Sequence, residues 1–205
     1  MQAGHAVWNF QIRGYSVQTP MSTEMRIRLA TENDVAVLRA LIDASVRGLQ
    51  AEDYSPSQID NALKTVFGVD SQLITDGTYF VVEARADDAA DYVIAGCGGW
   101  SRRKKLYGGD EWTEQRIEFL DPGREAAKIR AFFIAPEFAR RGVGTLILDA
   151  CEKAAMAEGF RRLEMGATLT GVKLFGARGY VEVEQISLDI GGGERLPVVR
   201  MEKRV

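Results

Sequence analysis

The sequence predicts an α/β protein in which a mixed, mostly antiparallel sheet of about seven strands carries helices on both faces. Three observations predict this class. Strand-like and helix-like segments follow in the order strand, two helices, three strands, helix, strand, helix, two strands. A central apolar run feeds a glycine-containing loop at the start of an amphipathic helix. The chain ends in two strand-like segments joined by glycines.

The first elements follow from alternation and from capping residues. Met25 to Leu29 alternates as a strand does, and Thr31 is placed to cap the helix that follows. A second helix is predicted from Ser55 and Pro56 to about Phe67. The apolar face of the first helix is predicted to comprise Val35, Leu38, Leu41, Ile42, Ala44 and Val46.

The middle of the chain predicts a hairpin followed by a long connection. The runs 78–84 and 92–100 are rich in β-branched and aromatic residues and are separated by a polar turn. Residues 101–125 are polar, contain glycine and show little periodicity. Connections of that length in compact domains are often functional or disordered.

The second half predicts a strand at 126–135, a helix that ends at Gly159, a strand at 161–167, a short helix that ends at Gly179, and a closing hairpin. The longer helix places apolar residues at i, i+3, i+4 and i+7. They are Val143, Leu146, Ile147, Ala150, Cys151 and Ala154.

Composition narrows the class of function. The 205 residues are 46% hydrophobic and 27% charged, which favours one globular domain, predicted at 25–205, after an extension at 1–24. A net charge of −3 argues against a dedicated nucleic-acid binder.

No apolar run reaches the roughly 18 residues that span a bilayer. One histidine and two cysteines, Cys97 and Cys151, do not supply a zinc site, so we expect no metal, and few cysteines fit a reducing cytoplasm.

The loop Arg140–Gly144 predicts an anion site. Glycines let a ligand approach the backbone, the first helical N–H groups are free to donate, and two arginines suit phosphate oxygens. The phosphate loop of nucleotide hydrolases needs a lysine after its second glycine, where this chain has Thr145. The dinucleotide fingerprint needs a third glycine or alanine, where this chain has Ile147. The alternative is a turn whose arginines are merely solvated.

The stretch "FFIAPEFARRGVGT", leading into "LILDACEKAAMAEGF", resembles the acetyl-CoA-binding motif of the GNAT superfamily of N-acetyltransferases. Downstream, "ATLTGVKLFGARGY" resembles the turn, short helix and Gly-aromatic ending of that family. The resemblance covers roughly Met25 to Val205. It implies a GNAT-like fold and an acetyl-CoA-dependent N-acetyltransferase. The acetyl group would pass directly, in a ternary complex, to a small-molecule or peptide amine whose identity stays open. Whether the protein forms a homodimer is left open as well.

The same resemblance assigns the cofactor-binding residues. The backbone of Phe132, Phe133 and Ile134 would hold the pantetheine arm, with an N–H near Ile134 polarising the thioester carbonyl. The diphosphate would be bound by the amides of Arg140, Arg141, Gly142, Val143, Gly144 and Thr145.

Three positions depart from the family pattern. Ala139 replaces the usual first residue of the loop, Thr168 replaces an asparagine, and Phe175 replaces a tyrosine that serves as an acid. Thr168 can still hydrogen-bond the cofactor, whereas Phe175 can only line its site. The loss of that acid leaves open an alternative function, a non-catalytic module that binds or senses acyl-CoA.

Two side chains are candidates for acid–base chemistry. Tyr107, in the long connection, offers a phenol, and Glu164, on the predicted strand 161–167, offers a carboxylate. The alternatives are a solvated or packed loop tyrosine, and a strand carboxylate that faces solvent or pairs with Arg161 or Arg162.

Overall fold

A single seven-stranded sheet forms the centre of the protein. The computed structural model describes residues 23–86, 90–110 and 118–205. The strands lie in the order β1-β2-β3-β4-β5-β7-β6. All neighbours pair antiparallel except β4 and β5, which are parallel, so the predicted fold class is confirmed. The strands are β1 Thr23–Leu29, β2 Tyr79–Ala86, β3 Val93–Ser101, β4 Ala127–Ile134, β5 Arg162–Thr168, β6 Val181–Asp189 and β7 Arg195–Arg204.

Within the described residues, five α-helices cover the two faces of this sheet. One core contains the apolar sides of α1 Val35–Leu49, α2 Pro56–Thr65 and α3 Ser71–Thr75. The other contains those of α4 Val143–Ala157 and α5 Leu169–Ala177. The sequence analysis did not predict α3, a five-residue helix whose first turn is capped by the side chain of Asp70, because so short a helix has no period to detect.

The apolar face of α1 differs by one residue from the predicted face. Ala44 is exposed, and the neighbouring Ser45 is 3% exposed within the core. Ser45 follows Leu38 by seven residues and Ile42 by three, which places all three on one side of the helix. A buried hydroxyl therefore lies where periodicity alone would place a hydrocarbon.

The glycines of β3 allow α4 to lie close to the sheet. A β-carbon on Gly96 would come 2.7 Å from Val143 Cγ1, and one on Gly98 would come 2.7 Å from Ile147 Cγ2. Both distances are shorter than van der Waals contact allows, so these positions accept only glycine without movement of the helix.

Strands β4 and β5 separate soon after they meet. Only Ala127, Lys128 and Ile129 pair with β5. Just beyond them Ala131 adopts a φ of 53°, and β4 contains one residue more than the facing part of β3. Such a bulge turns the strand, and the left-handed conformation at a residue other than glycine is a local strain. The result is a gap in the sheet where β4 has no neighbour on the β5 side.

The predicted extension at 1–24 falls almost wholly outside the described residues. Only Thr23 and Glu24 are described, and they begin β1. Within the described ranges, no helix is both long enough and apolar enough to cross a membrane.

Candidate active site

A cleft of about 700 Å³ fills the gap between β4 and β5. One wall is β4 from Ile129 to Ile134, and the other comprises the end of β5 and the helix α5. The last turn of α1 closes one side, and the loop before α4 closes one end. The cleft therefore runs from the start of a helix to the point where the two strands part.

The loop before α4 presents backbone donors at the end of the cleft. Arg140 and Gly142 have φ values of 62° and 89°, so the chain turns sharply there. The first helical hydrogen bond runs from the Leu146 N–H to the Gly142 carbonyl, at 3.1 Å. Gly142, the residue before the helix, has no side chain that could cap it. The amides of Val143, Gly144 and Thr145 in the first turn are therefore free to donate to a ligand. The helix dipole adds partial positive charge, which favours an anion at this end.

Most of the residues predicted to bind a cofactor line this cleft. They are Phe132, Phe133, Ile134, Arg140, Gly142, Gly144, Thr145, Thr168 and Phe175. Arg141 and Val143 do not line it. The guanidinium of Arg141 is exposed and lies 5.8 Å from the centre of the Phe138 ring, and the side chain of Val143 is buried against β3. The side chain of Val143 is therefore closed to a ligand, and its backbone amide is the group that can bind one.

Ser45 contributes a polar contact that the sequence analysis missed. The Ile134 N–H donates to Ser45 Oγ at 3.2 Å, and both residues line the cleft. Within the described residues, Ser45 Oγ has no other hydrogen-bond partner, so its proton is available to a ligand. In the sequence, this contact is indicated by a serine at a core-facing position of α1.

Gln50 lies one turn further along the same wall. It is 6% exposed and lines the cleft, and its Oε1 has no hydrogen-bond partner among the described atoms. A buried acceptor without a donor is energetically costly, so this atom is suited to accept a hydrogen bond from a bound ligand.

Phe175 and Thr168 form the opposite wall. The Phe175 ring packs edge-to-face on Phe132, with centroids 5.4 Å apart, and on Tyr180 at 6.0 Å. Thr168 Oγ1 accepts from the Gly171 N–H at 3.3 Å and so caps α5. At residue 175, where the family usually has a tyrosine that acts as an acid, this protein therefore presents an aromatic ring without a hydroxyl. The nearby Thr168 hydroxyl is partly occupied in capping α5.

Tyr107 lies at a second, smaller cavity of about 60 Å³. The two cavities are neighbours where β4 and β5 part, since they share the lining residues Ile129, Arg130, Ala131, Phe133 and Gly166. The Tyr107 ring covers Gly166, where a β-carbon would overlap the ring. Burial raises the pKa of Tyr107 to about 12, so the phenol is protonated at neutral pH.

Glu164 lines neither cavity. Its carboxylate accepts a hydrogen bond from Lys128 Nζ, and Arg200 Nη1 lies 3.5 Å away. It is 8% exposed, so it is a buried strand carboxylate paired with Lys128 and Arg200 rather than with Arg161 or Arg162. Burial lowers the pKa of Lys128 to about 8.

Comparisons with known proteins agree with this geometry. The model of the acetyltransferase (GNAT) family matches residues 44–180. A GCN5-related N-acetyltransferase from Rhodopseudomonas palustris has a similar structure, with 24% identity, a TM-score of 0.62, and coverage of 94% of this chain and 100% of that one. PaiA N-acetyltransferase from Thermoplasma acidophilum, solved with coenzyme A, has 14% identity, a TM-score of 0.58, and coverage of 89% and 99%.

A third similar structure is YncA from Salmonella typhimurium, solved with acetyl-CoA. It has 14% identity, a TM-score of 0.54, and coverage of 88% of this chain and 94% of that one. At these identities the three structures establish the fold alone. No curated protein matches the sequence significantly. Because the family model covers more than half of the chain, the protein belongs to the GNAT family of acetyltransferases and is an N-acetyltransferase.

Proposed function

We propose that the protein uses acetyl-CoA, bound in the cleft between β4 and β5, to acetylate a primary amine by direct attack in a ternary complex. The observation that carries this proposal is the path of the cleft. It runs from the free amides at the start of α4, past the unpaired side of β4, to the neighbourhood of the small cavity at Tyr107. The family match supports acetyl transfer in general.

The residues of the cleft fit an extended thioester that bears a diphosphate. The amides of Val143, Gly144 and Thr145 would donate to the diphosphate. Gln50 Oε1, which has no described partner, would accept from an amide of the pantetheine arm. Ser45 and the Ile134 N–H would donate to an oxygen of the same arm.

The chemistry supplied by the co-substrate is an activated acyl group. The lone pair of the amine forms the N–C bond, the C–S bond breaks, the nitrogen loses one proton, and the thiolate gains one. The products are an acetamide and the free thiol of coenzyme A.

The proton transfers are assigned to two residues. Tyr107, a neutral phenol beside the junction of the cavities, would donate to the departing thiolate. Glu164 would accept the proton of the amine through ordered water, since its carboxylate lies outside the cavities. A thiolate is a fair leaving group, so the acid contributes less than it would for an alkoxide.

An added negative charge at the start of α4 tests where the cofactor binds. Thr145→Glu places a carboxylate in the first turn, facing the cleft. Acidic residues there favour the helix, so the fold should persist while like charge repels a diphosphate. We expect the affinity for acetyl-CoA, measured by calorimetric titration, to fall at least tenfold.

Lys153→Gln is the matched control, because it makes the same change of one charge on an exposed position of α4 outside the cleft. It should bind acetyl-CoA as the unmodified protein does. Equal affinities for the two variants, or no binding by the unmodified protein at millimolar ligand, would contradict the proposal.

The second candidate function is a module that binds acyl-CoA without turnover, which the phenyl ring of Phe175 favours. Thiol release from acetyl-CoA, measured across a diverse amine library, separates the two candidates. Release with any amine supports transfer, whereas binding without release supports the module.

A further inference from the structure

The segment Lys105–Asp110 is fixed over the site. Arg130 donates from Nη1 to the Lys105 carbonyl at 3.0 Å and from Nη2 to the Gly108 carbonyl at 2.7 Å. These two bonds lie on either side of Tyr107. The Gly109 N–H donates to the Val66 carbonyl at 3.0 Å, and a β-carbon at Gly109 would lie 2.7 Å from the Val69 carbonyl. The segment therefore packs directly on the turn after α2.

Arg130 is itself held in place. It is 8% exposed and forms a buried ion pair with Asp70, the residue that caps α3. A buried pair of this kind fixes geometry, because breaking it would leave an uncompensated charge. The position of Tyr107 is thus set by Arg130 on β4 and, through Asp70, by α3.

The cavity under this segment is small, and its lining combines apolar side chains with polar groups. Its described walls include Val66, Leu106, Phe133, Leu188 and Val198, together with the Tyr107 ring and Arg130. Its volume of about 60 Å³ corresponds to roughly four or five water molecules. It lies beside the cleft where the acyl group would lie, since both are lined by Arg130, Ala131 and Gly166.

We propose that this cavity holds the body of the acceptor, and that Tyr107 restricts the acceptor to a small primary amine with a short apolar chain, bound in its neutral form. This inference rests on the proposed function and specifies its substrate class. Apolar side chains on its walls disfavour an ammonium ion, and among its described lining residues the charged side chain, Arg130, is already paired with Asp70. The pocket thus selects the nucleophilic form of the amine without a carboxylate in contact with it.

The first experiment measures binding without transfer. Amines are titrated into the complex of the full chain with coenzyme A, which has no acetyl group to give. Propylamine, with four non-hydrogen atoms, should bind at least tenfold more tightly than benzylamine, and spermidine should bind most weakly. If only the neutral amine binds, the apparent affinity for propylamine should rise about tenfold per pH unit between pH 7 and 9.

Variants of the cavity wall make the test specific. Tyr107→Ala removes the ring and should reverse the preference, so that benzylamine binds more tightly than propylamine. Tyr107→Phe keeps the ring and should keep the preference of the unmodified protein, although it lowers turnover if the phenol is the acid. Retention of the size preference with loss of rate would separate the two roles of Tyr107.

A variant at Gly68, on the turn after α2, is designed to narrow the cavity. Gly68 lines it, and a β-carbon there would meet nothing within 4 Å. Gly68→Val should therefore weaken the binding of propylamine without disturbing the fold. Gly176→Val is the matched control, because a β-carbon at Gly176 also meets nothing and the residue lies outside both cavities.

The outcomes separate this inference from the proposed function. Binding of spermidine or benzylamine as tight as that of propylamine, or an unchanged order in Tyr107→Ala, would overturn the inference and leave acetyl transfer standing. Failure of every amine of the panel to bind would overturn it as well. Tight binding of propylamine with no thiol release from acetyl-CoA would support the pocket and reject transfer.

Discussion

Ser45 is the residue at which the structure adds most to the predicted cofactor site. The predicted carbonyl polariser, the Ile134 N–H, donates to Ser45 Oγ, so this amide is not free in the described structure. An N–H···O bond of 3.2 Å lies at the long end of the usual range. A ligand oxygen can therefore share this amide with the hydroxyl, and the hydroxyl proton provides a second donor.

We expect Ser45→Ala to lower the affinity for coenzyme A about five- to tenfold, since one hydrogen bond contributes roughly 1 kcal/mol. The affinity for adenosine 3′,5′-bisphosphate, which lacks the pantetheine arm, should stay unchanged. Both are measured by calorimetric titration. Ser45→Thr keeps the hydroxyl and serves as the control. An equal loss for both ligands would indicate a general disturbance of the cleft and would count against the role of Ser45.

The sequence predicts the backbone part of the site better than its side chains. The loop residues Gly142 and Gly144 specify a conformation, and a conformation can be inferred from glycine spacing. Ser45 and Gln50 depend on the packing of α1 against β4, two elements far apart in sequence. Helical periodicity tells which face of α1 is buried but not which backbone atom that face meets.

The start of α1 shows how strongly one carboxylate can fix an element. Asp34 accepts from Arg28 Nη1 and Nη2, each at 2.8 Å, and from the Thr31 N–H at 2.7 Å. The Arg28 guanidinium is the main cause that lowers the pKa of Asp34 from 3.8 to about 2. This contribution to stability is present above pH 4 and is lost as the pH falls through 2.

We expect Asp34→Asn to destabilise the protein by about 2 kcal/mol at pH 5 and by much less near pH 2, where the native carboxyl is also protonated. Urea unfolding followed by circular dichroism at both pH values measures this difference. Asp43→Asn is the control, since Asp43 lies on the same helix with its side chain 54% exposed and should change stability little. A destabilisation by Asp34→Asn that does not depend on pH would contradict the role of the charge.

Most elements were predictable because their signals are local. Ser55 and Gln58 cap α2 through their own side chains, and Gly159 follows the last turn of α4. The path of residues 101–125 was not predictable, because the contacts that place its described part come from Arg130 and from the turn after α2. Long-range contacts of this kind have no counterpart in periodicity.

At the scale of the whole molecule, the sheet consists of two parts joined by three residue pairs. The strands β1 to β4 form one part, and β5 to β7 form the other. A ligand in the cleft contacts both, through the wall of β4 on one side and β5 with α5 on the other. Its binding free energy should therefore add to the stability of the junction.

We expect coenzyme A at 100 times its dissociation constant to stabilise the fold by about 2.7 kcal/mol. In hydrogen exchange read by mass spectrometry, the added protection should concentrate in the last turn of α1, in residues 132–134 and in α5. The paired strands β1 and β2, which line neither cavity, serve as the internal control. Protection that is greatest at β1 would contradict a ligand bound across the junction.

The fold class was predictable at this scale, whereas the separation of β4 and β5 was not predictable from periodicity. Both strands give ordinary apolar patterns, and only the resemblance to the GNAT family implied that the backbone of residues 132–134 would be free to hold a ligand. The physical cause is the extra residue and the positive φ at Ala131, a residue type that gives no warning of such a conformation.

The two glycines of β3 that lie beneath α4 have a consequence for which mutations abolish activity. Gly96 and Gly98 line neither described cavity, yet a β-carbon at either would press on Val143, Phe132 or Ile147. Those side chains support the loop and the strand that face the cleft. In a genetic screen for lost activity, codons for these two glycines should therefore be recovered as often as codons for the site itself, although neither residue touches a substrate.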